Sequence, residues 1–171
     1  DISQEDIQNA KNLGGLNNDW DLTYHLLKNA GIWVPYDDIV EKFQQLYWNN
    51  GNGCINDESL IADPKLLKML SERYILAVFT GRPRVEAEFT LKKFDILKYF
   101  SKIVTMDDLP PERQKPDTLG LEMIKQAVYA GKMLYVGDTV DDVRCAKEFR
   151  ITGFGVAETR EQADLLMTNL S

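Results

Sequence analysis

The sequence contains very little histidine, cysteine or uninterrupted apolar stretch, and it is short of positive charge. One histidine, His25, among 171 residues leaves no material for a histidine triad or a histidine-rich metal site. Its place in the helical run from Thr23 to Lys28 gives it a structural or surface role. The two cysteines, Cys54 and Cys145, lie far apart. Cys145 falls on the inner side of an expected helix, so a small buried thiol is expected in place of a disulfide, as suits a cytosolic protein. No apolar run approaches the roughly 20 residues of a membrane span, and no signal-peptide pattern opens the chain. Lys and Arg number 20 against 27 Asp and Glu, for a net charge of −7. That balance argues against nucleic acid, which requires a basic face. It leaves room for a small phosphorylated metabolite, which a few local cations can serve.

An apolar content of 44% supports a real core, and the chain divides by pattern into two parts. Residues 1–57 read as helical throughout. Ile2 to Asn12 stops at Gly14-Gly15, and Asn17, Asn18 and Asp19 offer capping side chains for a helix from Trp20 to Ala30. Asp38 and Glu41 have the spacing of a capping box ahead of a face formed by Val40, Phe43, Leu46 and Tyr47. Asn49 to Asn56 is an Asn- and Gly-rich hinge. Trp20, Trp33 and Trp48 are expected in the core of this part.

From residue 58 to 171 helices and strands alternate. Strands are expected at Ile75–Phe79, Ile103–Met106, Met133–Val136 and Thr152–Val156, with helices over Pro64–Tyr74, Arg84–Phe94, Lys115–Val128 and Asp141–Phe149 and a closing helix from Arg160. Such alternation means an α/β fold: a Rossmann-like parallel sheet with helices on both faces, joined here to an all-helical cap.

Three strand ends carry polar groups. Thr80 and Gly81 supply a hydroxyl and a backbone N–H that donate to phosphate oxygens. Lys115 stands before Pro116 at an expected helix start, where a cation is unfavourable unless an anion is also there. Asp138 and Asp142 flank the end of the Met133 strand, where hard oxygen ligands suit Mg²⁺. Taken singly, each has a plain structural reading: a Thr-Gly turn, an exposed loop lysine, an Asp-capped helix. Together they are the parts of a phosphoryl-transfer site.

The order Thr-Gly, Lys-Pro, Gly-Asp-x-x-x-Asp resembles motifs two, three and four of the haloacid-dehalogenase-like (HAD) hydrolases, and the helical segment ahead of them is similar to these enzymes' cap. The phosphoglycolate-phosphatase-like subgroup with a helical cap is the nearest in pattern. The resemblance implies a Mg²⁺-dependent phosphatase acting on a small phosphorylated metabolite in the cytoplasm. Thr80 and Gly81 would hold the phosphoryl group, Lys115 would bridge it to a nucleophilic carboxylate, and Asp138 and Asp142 would serve the metal. Arg82 would reach the far end of the substrate or make a structural salt bridge. Asn17, with Asn18 and Asp19, lies where such caps choose substrates, or simply caps its helix. A phosphoglucomutase-like phosphotransferase and a binding or regulatory protein without turnover are the alternatives. A dehalogenase would not need the acidic pair.

The family's first motif, Asp-x-Asp at the end of an initial strand, is absent from the chain. Its two carboxylates are the nucleophile and the general acid–base, so the chain by itself is expected to be inactive. In the implied fold the missing strand lies between the Ile75 and Met133 strands, and without it two buried edges lack hydrogen-bond partners. A segment bearing Asp-x-Asp is therefore expected upstream of Asp1 or as a separate piece.

Overall fold

The computed structural model describes residues 2–16, 18–129 and 131–170. In the amino-terminal part, α1 (Gln4–Asn12) is started by a capping box between Ser3 and Asp6. Asn18 caps α2 (Asp19–Asn29) by accepting from the Trp20 amide. The third helix, α3 (Tyr36–Tyr47), follows Pro35 without a side-chain cap, so the expected Asp38–Glu41 box does not form. It buries Ile39 at 5% exposure and leaves Leu46 57% exposed. Helix α2 meets α3 at Tyr36, which stands edge to face with Tyr24 at 5.8 Å and donates to Asp21. Two short 3₁₀ turns over Asn49–Gly51 and Cys54–Asp57 occupy the expected hinge.

The remainder runs α4 (Pro64–Ser71), β1 (Leu76–Phe79), α5 (Arg84–Lys93), β2 (Phe100–Val104), α6 (Leu119–Val128), β3 (Leu134–Gly137), α7 (Val140–Glu148), β4 (Thr152–Gly155) and α8 (Arg160–Leu170). Two of the boundaries that differ from expectation bear on the site. The second strand ends at Val104, because Thr105 and Asp108 close a reciprocal cap that turns Met106–Asp108 into a 3₁₀ turn. The helix expected from Lys115 begins at Leu119. Lys115 and its cis bond to Pro116 therefore lie in a loop, and the macrodipole argument does not apply to this lysine.

The strands are parallel, as expected, but they do not make one sheet. β1 pairs with β2, and β3 pairs with β4, and no ladder joins β1 to β3 among the described residues. Phe79, Val104, Leu109, Leu121, Ile124 and Cys145 form the main core between the two pairs and α6, with Tyr135 and Phe149 packed against it. A second cluster of Val140, Val143 and Leu166 joins α7 to α8. Cys145 is fully buried and its thiol donates to the Asp117 carbonyl; burial pushes that thiol up to about 12. Cys54 and Cys145 are both free. Among the described residues, the side chain of His25 is hydrogen-bonded only to Asn29 on its own helix.

The face of β3–β4 that points away from this core is bare. Leu134 is 67% exposed, Val136 61% and Phe154 53%, with Val136 and Phe154 side by side in register. Contiguous exposed apolar side chains of this kind mark interaction surface.

The helical part leans on the rest through few, specific contacts. Trp48 meets Phe89 of α5 edge to face at 5.3 Å. Lys93 Nζ donates to the Ile55, Asn56 and Glu58 carbonyls. The Gly15 amide donates to both carboxylate oxygens of Asp141, at 2.9 and 2.8 Å. Of the three tryptophans expected in a cap core, Trp33 is 76% exposed, with Lys28 over its ring. Among the described residues, no helix is long and apolar enough to cross a membrane.

Candidate active site

The carboxyl ends of β1 and β3 face each other across the break between the strand pairs, and the polar groups singled out in the sequence gather there. A cleft of about 390 Å³ is lined by Thr80, Gly81, Arg82, Lys115, Asp138 and Asp142 from the α/β part and by Asn18, Asp19 and Trp20 from the helical part. Asn17 lies outside the described residues.

Each side chain is held by its local fold. Thr80 continues β1 by donating its amide to the Val104 carbonyl at 3.0 Å. Its hydroxyl accepts from the Arg82 amide at 3.2 Å, which closes a tight turn and leaves the Gly81 backbone in the cleft lining. Asp142 is fixed three times over. Thr139 and Asp142 form a reciprocal cap at the start of α7, the Tyr135 hydroxyl donates to Oδ1 at 2.8 Å, and Lys115 Nζ donates to the same oxygen at 2.7 Å. The lysine and aspartate side chains are only 7% and 6% exposed. The ammonium also stands 4.8 Å from the Phe79 ring centre and 5.8 Å from that of Tyr135.

The electrostatics follow from that arrangement. Burial alone would raise the Asp142 carboxyl, but Lys115, Tyr135 and Thr139 overcome it and hold the group below the usual aspartate range. The Tyr135 phenol is pushed far up by burial and by the Asp142 charge. Gly137 is required at the strand end, since a Cβ there would stand 2.3 Å from Asp142 Cβ.

Asp138 differs from Asp142 in every respect. It is exposed, and among the described residues only its main-chain carbonyl is engaged, by Gln162. Both oxygens of Asp142 are already occupied, so of the two expected metal ligands Asp138 is the one with its carboxylate free. No group of three or more His, Cys, Asp or Glu side chains arranged to hold a metal occurs among the described residues. One exposed carboxylate fits Mg²⁺, which takes few protein carboxylates and completes its shell with phosphate oxygens and water.

Arg82 makes the structural salt bridge of its two expected alternatives. It forms a two-pronged pair with Glu58, Nη2 to Oε1 at 2.7 Å and Nη1 to Oε2 at 3.1 Å. The Tyr47 hydroxyl of α3 donates to the same carboxylate. This pair ties the helical part, the linker and the β1 turn together.

Four residues of the site were not legible as such in the sequence. Tyr135 carried a signal, because strand alternation puts it on the same face as Met133, against the core. Glu86 and Asp141, at 3% and 2% exposure, and Glu58 read as ordinary helix or loop acids. Burial pushes both the Glu86 and Asp141 carboxyls up.

In open parallel α/β cores ligands bind outside the carboxyl ends of the strands, which is where these polar groups lie. The sequence profile described as haloacid dehalogenase-like hydrolase matches residues 61–156, and the chain belongs to that family. It is 33% identical over 118 residues to phosphoglycolate phosphatase of Escherichia coli strain K12, covering 67% of this chain and 46% of that protein. It is 30% identical over 174 residues to imidazoleglycerol-phosphate dehydratase of Phytophthora nicotianae, covering 97% of this chain and 38% of that protein. The chain thus spans less than half the length of these two curated relatives. Among solved structures, an L-2-haloacid dehalogenase from Xanthobacter autotrophicus superposes with a TM-score of 0.61 at 15% identity, over 95% of this chain and 66% of that one. A protein assigned as a β-phosphoglucomutase from Thermotoga maritima gives 0.70 at 18%, over 99% and 76%. These structural likenesses concern the fold.

Proposed function

We propose that the chain is the cap (1–57) and most of the core (58–171) of a cytoplasmic, Mg²⁺-dependent phosphatase that hydrolyses a small phosphorylated metabolite through an aspartyl-phosphate. The observation that carries the reading is the buried Lys115–Asp142 pair at the break between β1 and β3. A lysine held there, beside the Thr80 and Gly81 turn, faces the position where a strand between β1 and β3 would end. We assign the nucleophile to that strand, on a segment outside residues 1–171. The two unpaired strand edges and the bare Leu134, Val136 and Phe154 face support it, because unpartnered strand edges are costly when buried.

In this account the Thr80 hydroxyl and Gly81 amide donate to the phosphoryl oxygens. Lys115 places positive charge between phosphate and nucleophile, where negative charge gathers in the transition state. Asp142 keeps Lys115 in place. Asp138 would hold the Mg²⁺, which supplies charge neutralisation to the phosphoryl group when bound. The incoming carboxylate forms a bond to phosphorus as the ester oxygen departs with a proton from the neighbouring acid. Water then attacks phosphorus, releases inorganic phosphate and restores the carboxylate.

The test is acid quenching of the full-length protein during turnover of a phosphate ester, followed by peptide mass spectrometry. A phosphorylated aspartate in an Asp-x-Asp sequence upstream of Asp1 is expected. Turnover with no phosphorylated aspartate, or with phosphate on another side chain, overturns the mechanism.

A further inference from the structure

The cleft's charges pair off with two carboxylates left over. Among its lining residues Lys115 is committed to Asp142 and Arg82 to Glu58. Lys11 stands 3.9 Å from Asp19. Two acids remain without a salt bridge among the described residues: Asp138, assigned above to the metal, and Glu86, which feels the Arg82 charge without pairing with it. Glu86 sits in the first turn of α5, whose positive end favours an ionised carboxylate. It is 3% exposed, yet its only hydrogen bond among the described residues is from Gln44 Nε2 of α3 to Oε1, at 2.7 Å. Glu86 lines the cleft, and its Oε2 makes no hydrogen bond among the described residues. A nearly buried carboxylate with one unused oxygen, in the lining of a substrate-sized cavity, is a costly arrangement unless a charged donor completes it.

We propose that Glu86, with Asp19 at its side, is a cation subsite, and that the preferred substrate is a phosphate monoester carrying an ammonium group. The proposal rests on the phosphatase reading above and adds the substrate class. The phosphate lies against Thr80, Gly81 and Lys115, and the ammonium donates to Glu86 Oε2 from the opposite wall. A charge-assisted bond of this kind is about twice as strong as a neutral one. A carboxylate on the substrate in place of the ammonium, as in phosphoglycolate, would instead meet Glu86 and Asp19 and be repelled.

The experiment compares 2-aminoethyl phosphate, its hydroxyl counterpart 2-hydroxyethyl phosphate, and phosphoglycolate on the full-length protein, by turnover and by ligand-induced thermal shift. The amine is expected to exceed the hydroxyl ester in kcat/KM by about tenfold or more, equivalent to about 1.4 kcal/mol, mainly through KM, with phosphoglycolate poorest. Glu86→Gln should bring the amine-to-hydroxyl ratio close to unity, while Glu86→Asp, which keeps the charge, restores part of it. Equal kcat/KM for amine and hydroxyl esters in the natural protein, or an unchanged ratio in Glu86→Gln, overturns the proposal. If no ester is turned over, the phosphatase reading fails by itself. Affinities then decide the subsite: tighter amine binding that Glu86→Gln abolishes upholds it, and equal binding refutes it.

Discussion

Lys115 Nζ lies 2.7 Å from Asp142 Oδ1 with both side chains almost wholly enclosed, and the pair bridges a loop and a helix 27 residues apart. Enclosure makes each partner dependent on the other. Asp142→Asn leaves an ammonium buried without its counter-ion and is expected to cost about 3–5 kcal/mol in denaturant unfolding. Replacing both residues together, as Lys115→Met with Asp142→Leu, should recover most of that loss. Equal losses for the single and double variants would show that the pair is not coupled.

Stability should depend on pH in two opposite senses. Asp142 titrates below its unfolded value, so its contribution is complete above about pH 4 and is lost as pH falls through the depressed folded value. Glu86 and Asp141 are raised by burial, so they penalise folding at neutral pH and cease to do so as the pH approaches about 4. The denaturant midpoint should therefore rise as pH falls from neutrality toward about 4 and drop below it. In Glu86→Gln the rise should shrink. A midpoint that falls steadily from neutrality would contradict the assignment.

Gly137 tests the packing beneath the acidic pair. A Cβ there would stand 2.3 and 2.4 Å from Asp142 Cβ and Cγ, and neither strand nor capped helix can yield cheaply. Gly137→Ala should destabilise by about 1–3 kcal/mol and displace Asp142 from Lys115. A variant with unaltered stability and activity would show that the strand end is looser than described.

Arg82→Lys probes the junction between cap and core. Lysine cannot reproduce the two-pronged contact with Glu58, and the pair is partly exposed, at 40% and 23% of the side chains. The expected loss is therefore modest, about 1 kcal/mol, with faster proteolysis near residues 49–57 as the cap loosens. Unchanged proteolysis would place the tie between the two parts elsewhere, for instance at Gly15 and Asp141.

What the sequence made legible was local. Asn18 caps its helix, as its side chain led one to expect, and alternation of pattern placed helices and parallel strands over residues 58–171. The order of Thr80, Lys115, Asp138 and Asp142 along alternating strands was enough to bring them to one cleft. What misled was equally physical. Asp38 and Glu41 match a capping box in spacing, but the helix starts earlier, at Tyr36 after Pro35. Lys115-Pro116 looked like a helix start, whereas Asp117 receives the Leu119 amide and sets the helix to begin there. Glu86 and Asp141 take their meaning from partners 42 and 126 residues away, and no short-range pattern encodes such contacts.

The central claim is that Asp138 holds the metal for phosphoryl transfer at this cleft. The most direct measurement is phosphate release by the full-length protein, natural and Asp138→Ala, across a Mg²⁺ titration with EDTA as the zero point. The account predicts Mg²⁺-dependent release by the natural protein that EDTA abolishes. In the variant it predicts a rate lower by at least about 10²-fold, or activity recovered only at much higher Mg²⁺. Undiminished release by Asp138→Ala at the same Mg²⁺ concentration would contradict it.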